Sequence, residues 1–122
     1  MKLTRALIIP TEGMPTTTLV ASPEGDFINA TVGGWFDCVR GERFHGYVND
    51  TGLIDGLPFN PIASIIFGRV ICGNAILFGS FSTENEYDGH EHHIEENIIE
   101  GVKRQWFLWK HNADEREMRA SI

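Results

Sequence analysis

The chain lacks any apolar run that approaches the roughly 18 residues needed to cross a bilayer. The run nearest its start, Ala6 to Ile9, is also too short for the core of a secretory leader. A cytoplasmic protein without a membrane partner is therefore expected. Positive charge is scarce as well. Ten lysines and arginines stand against seventeen acids, for a net charge of −7. Proteins that hold nucleic acid cluster basic residues and release counterions from the phosphates. Here those residues are scattered, so nucleic acid is not an expected partner.

Cysteine is limited to Cys38 and Cys72, each inside an apolar stretch and neither in a C-x-x-C. They read as a reduced, buried pair of small apolar residues, with a single disulfide between them left open. The familiar catalytic patterns are missing too. "FGSFS" (Phe78–Ser82) is not the G-x-S-x-G elbow that presents a nucleophile. "VGGWF" has neither the dinucleotide fingerprint nor a P-loop lysine. The expectation is a non-enzymatic protein that needs no cofactor.

Glycine, by contrast, is plentiful: thirteen residues lie singly or in pairs between apolar runs, a pattern of short elements and frequent turns. "LTRALIIP" and "TTTLVA" read as strands of a hairpin joined through "EGMP". "SPEGDFINATVGG" reads as a helix with Ser22 as N-cap, Pro23 in its first turn and Gly33 past its end. "WFDCVR" and "RFHGYVND" are two more strands, followed by the strong turn "NDTG". In "GLPFNPIASIIFG", Asn60 caps a short helix, Pro61 opens it and Gly68 closes it. "VICGNAILFGSF" is a strand buried on both faces and split at Gly73-Asn74.

From about 92 to 111 the period becomes helical, with Ile94, Ile98, Val102, Trp106 and Trp109 in one stripe. Acids at its start and bases toward its end complement the helix dipole. The expected architecture is α+β: one domain over 1–122, with its core in 3–80. It holds a small antiparallel or mixed sheet, short helices and one long C-terminal helix.

Three places carry candidate chemistry. The first is "YDGHEHHIEENIIEG" (Tyr87–Gly101), where His90, His92, His93 and Glu96 could supply metal ligands. On a helix, His92 and Glu96 would share a face, with His93 beside Glu96. The H-E-x-x-H pattern fails, because Ile94 stands where its second histidine would fall. An acidic helix start explains the same residues, and no metal is expected. The second is the aromatic set Trp35, Phe36, Phe44, Tyr47 and Phe59, read as core or as a pocket lining, with His45 as a satisfied strand histidine. The third is "QWFLWK", where Trp106 and Trp109 share a side and Phe107 points away. It suits docking of a second surface, such as a homodimer partner.

"ALIIPTEG", "VGGWFDCV", "YVNDTGLIDGLPFNPIAS" and "ICGNAILFGS", in that order, resemble a small domain-of-unknown-function family of bacteriophages, plasmids and actinobacterial and other bacterial genomes. Its pattern runs V-G-G, N-[DE]-x-G, G-L-P-x-N and G-[DN] over about residues 3–80. The resemblance implies a phage or mobile-element origin and a bacterial cytoplasm, and no named activity. Within its motif Asn49, Asp50 and Asn60 place polar groups on loops, where ligands bind. The expected role is an accessory protein that binds a host protein or itself. The alternative is a protein that binds or sequesters a small, nucleotide-like molecule.

Overall fold

The computed structural model describes residues 2–22, 24–80 and 92–120. Five strands form one antiparallel sheet. β1 (Leu3–Ile9) and β2 (Thr16–Ala21) are one hairpin, and β3 (Phe36–Arg40) and β4 (Phe44–Asn49) are another. β5 (Ala75–Gly79) enters between them, giving the order β2-β1-β5-β4-β3. It pairs antiparallel with both β1 and β4, and all five of its residues are buried. That placement explains its unbroken apolar sequence, since both faces of a central strand are covered.

Strand alternation divides the core into two layers. Ala6, Val20, Tyr47, Ile76 and Phe78 face α1 (Gly25–Val32), which contributes Ile28 and Val32. Leu7, Ile9, Val48, Ala75 and Leu77 face the other way. They meet α2 (Pro61–Phe67) and α3 (Glu96–Ala120) through Ile62, Ala63, Ile99 and Val102. Each Val, Leu, Ile or Phe among them removed from water contributes roughly 1.5–3 kcal/mol against chain entropy. The fold is α+β, a sheet between one helix and two. Among the described residues no helix is long and apolar enough to cross a membrane.

α2 forms as its cap residues require. Asn60 Oδ1 accepts the Ala63 amide at 3.0 Å, Pro61 occupies the first turn, and Gly68 ends the helix at φ +68°. The last position is in the left-handed region that glycine enters freely. The expected split at Gly73-Asn74 is present: Cys72 before it forms only an isolated bridge to Phe59.

Three expectations need correction. α1 begins at Gly25, with Glu24 at its N-cap and no side-chain cap, although it ends at Gly33 as expected. Ser22 serves the hairpin instead. Its amide donates to the Lys2 carbonyl at 2.9 Å, and its hydroxyl accepts the Lys2 amide at 3.3 Å. Pro23 lies outside the described residues. The two cysteines are not joined, and they are not alike: Cys72 is buried, whereas Cys38 is exposed because β3 is the sheet edge.

α3 begins at Glu96 rather than at His92 and runs on to Ala120. The four residues before it, His92 to Glu95, lie outside any helix or strand. β1 and β5 stop pairing beyond Leu7 and Leu77, and this segment enters the gap. The Gly79 amide donates to the His92 carbonyl at 2.8 Å, and the Ile94 amide donates to the Arg5 carbonyl at 3.1 Å. The Arg5 guanidinium donates to the Ile94 carbonyl at 3.0 Å, so Ile94 is held with no exposed surface. A side chain at Gly79 would collide with the His93 carbonyl, so this closure requires glycine there.

Candidate functional site

The turn after β4 builds the most site-like feature of the surface. Asn49 anchors it twice. Its Oδ1 accepts the Thr51 amide at 2.8 Å and its amide donates to the Val32 carbonyl at 3.1 Å. The Thr51 hydroxyl donates to Asp55 at 2.6 Å, and the Leu57 amide donates to the Gly52 carbonyl at 2.9 Å. Gly52 lies against the Cys72 carbonyl, where a side chain would not fit. Residues 49–57 thus form a hydrogen-bonded knuckle whose shape is set before any partner arrives.

Beside it opens a recess of about 350 Å³, floored by Val48, Ile71 and Cys72. Three large apolar side chains stand at its rim in water: Leu53 is 72% exposed, Ile54 86% and Val70 64%. Trp35, 82% exposed, stands close by, its carbonyl accepting the Asp50 amide at 2.9 Å. Polar groups surround this patch. Asp37 and Asp50 line the recess, and Arg69 there pairs with Asp37 at 3.3 Å. Both members of that pair are about half exposed, so it adds little to stability.

The residues singled out from sequence separate clearly. Asn49 and Asp50 line the recess together. Asn60 does not: it is fully buried, and its amide donates to the carbonyls of Ile9 at 2.9 Å and Gly73 at 3.0 Å. With its oxygen on the Ala63 amide, it ties α2 to the end of β1 and the turn before β5 and has little left for a ligand. His45 is also buried, its Nδ1 bonded to the Gly79 carbonyl at 2.6 Å with its ring stacked on Phe78. Tyr47 belongs to the core, while Trp35 and Phe59 are exposed.

Of the candidate metal ligands, His90 lies outside the described residues. His93 Nδ1 accepts the Arg5 amide at 2.8 Å, and Glu96 pairs with the Arg5 guanidinium at 3.3 Å. Both groups are engaged in holding the entry of α3 to β1. Among the described residues no three His, Cys, Asp or Glu side chains converge.

On α3, Trp106 and Trp109 are partly buried against the core, while Phe107 and Leu108 project to solvent at 56% and 53% exposure. Sequence reasoning missed Leu53, Ile54 and Val70. A signal was present: an apolar pair set inside "NDTGLIDG", where turn chemistry requires a surface position.

The fold and this turn define a small α+β domain whose surface features are a knuckle and a recess. The chain belongs to the family described as Domain of unknown function (DUF3846), which matches residues 2–103. That span takes in the sheet, the knuckle, α2 and the first turns of α3, and ends before Phe107. No curated protein and no solved structure matches the chain.

Proposed function

We propose that this chain is a non-enzymatic accessory protein of a phage or mobile element, working in the host cytoplasm by binding a host protein through the knuckle face. One observation carries the reading. Leu53 and Ile54, on a turn fixed by its own hydrogen bonds, are exposed together with Val70 around a recess. An apolar centre ringed by polar groups is the anatomy of a protein interface. Large apolar side chains clustered on a rigid loop have no folding role that would keep them in water. The test is a photo-crosslinking residue placed at Ile54, with a control at the exposed Glu12, in bacterial host cells. A discrete protein adduct from position 54 alone is the expected result. The absence of any adduct specific to position 54 would sink the reading.

The recess also suits the alternative, a small nucleotide-like ligand, since its volume lies within the usual range for such sites. Its chemistry narrows that ligand. Asp37 and Asp50 line it and Arg69 is already paired, so phosphate would meet unfavourable charge. An uncharged nucleoside-like ring fits better. A thermal shift with nucleosides but not with nucleoside triphosphates would support this second reading; no shift with either would end it.

A further inference from the structure

The knuckle and its recess carry charge as well as an apolar centre. Asp37 and Asp50 line the recess, and Asp55 stands in the knuckle, where it accepts the Thr51 hydroxyl at 2.6 Å. One cation meets them: Arg69, held 3.3 Å from Asp37. Among the described residues neither Asp50 nor Asp55 has a basic partner. The other bases of the chain stand elsewhere. Lys2 and Arg5 lie at the start of β1 and Arg43 in the turn from β3 to β4, at the opposite end of the sheet from the knuckle. Arg40 leaves β3 on the face opposite to Asp37, because three residues separate them. The rest are on α3, which meets the start of α2 at Pro61, whereas the recess lies past its end at Arg69. Negative charge is therefore left unneutralised around Leu53, Ile54 and Val70.

We propose that the segment a partner seats on this face is basic as well as apolar, with large aliphatic or aromatic residues set between lysines or arginines. The inference deepens the knuckle-face reading and rests on it. Charge complementarity selects the occupant. An apolar segment flanked by acids would bring like charges to Asp50 and Asp55, whereas a basic one meets them at the rim, where they steer its approach. Its apolar residues then cover Leu53, Ile54 and Val70 and enter the recess over Val48 and Ile71. A second copy docking through the same face would set these aspartates against their own counterparts, because a two-fold contact brings one patch to itself. The backbone already holds the two unneutralised charges in place. The Asp50 amide donates to the Trp35 carbonyl at 2.9 Å and the Asp55 amide to the Thr51 carbonyl at 2.8 Å. Little ordering of the knuckle is then required when the basic segment arrives.

Fluorescence anisotropy of short labelled peptides with the full chain tests it. Three peptides of one length are compared: leucine with lysine, leucine with glutamate, and the lysine peptide with serine in place of leucine. The lysine–leucine peptide is expected to bind at least roughly tenfold more tightly than either of the others. Asp50→Asn with Asp55→Asn should weaken it by roughly fivefold. Asparagine keeps an acceptor for the Thr51 hydroxyl, so the knuckle stands. Ile54→Ser should weaken it similarly, at a position too exposed to disturb folding. Glu100→Gln with Glu117→Gln removes the same charge from α3 and should leave binding unchanged. A lysine–leucine peptide that binds no tighter than the other two overturns the proposal. So does an affinity that survives the asparagines or the serine, or one that falls as far with the α3 pair. The two readings fail separately. An adduct from Ile54 in host cells, with no preference for the basic peptide, leaves the interface and removes only its chemistry. No adduct specific to Ile54 defeats the host-protein reading, whatever the peptides show.

Discussion

On the inner face of α3, Ile99 and Val102 are almost wholly buried and Trp106 and Trp109 close the edge of the core. On its outer face Phe107 and Leu108 leave more than half their surface in water. Both faces carry large apolar side chains on one helix, so composition does not separate them. What separates them is the sheet, which stands on one side only. The two asparagines repeat the contrast. Asn60 is buried with its amide and carbonyl all engaged, whereas Asn49 is only partly buried at the rim of the recess. Ile99 and Asn60 hold the interior together, whereas Phe107 stands in water and Asn49 shapes the rim of the recess.

The largest effect should come from the inner face. Ile99→Ala leaves a cavity between α3 and the sheet and should lower stability by roughly 3 kcal/mol in urea denaturation. A loss below about 1 kcal/mol would mean α3 is loosely docked, and the contrast between its faces would collapse. Asn60→Ala comes next, at about 2 kcal/mol. It strips the cap of α2 and leaves the Ile9 and Gly73 carbonyls without their donor in the interior. Asn49→Ala should cost about 1 kcal/mol, since water can reach the groups it releases. The same change should loosen the knuckle, which hydrogen exchange at the Thr51 amide would report as faster. The smallest stability effect is expected for Phe107→Ser, less than about 0.5 kcal/mol. If instead it destabilises as much as Ile99→Ala, the outer face is part of the core.

Part of this was legible along the chain because it is local. α2 lies between Asn60 and Gly68, as cap chemistry requires, because a cap needs only the residues three or four positions away. The strands of both hairpins follow from short branched or aromatic runs and the turns between them. The knuckle was visible in "NDTG", whose residue types suit a turn. Asn60 could be identified as a cap, but not as a residue with its amide spent on two carbonyls distant in sequence.

Other features depended on parts of the chain far apart in sequence. The helical period beginning at Ile94 pointed to a helix from His92, yet Arg5 and Gly79 take the backbone groups of that segment and keep it out of the helix. Ser22 had the chemistry of an N-cap and was drawn into the hairpin through Lys2. Cys38 and Cys72 sit in similar apolar runs, and only the position of β3 at the sheet edge exposes one of them. The sequence by itself determined the elements, their caps and their turns, because those are settled by short-range sterics and hydrogen bonds. The tertiary structure alone decided that Val70 faces water while Ile71 and Cys72 beside it are buried, because burial is a property of what lies opposite a side chain.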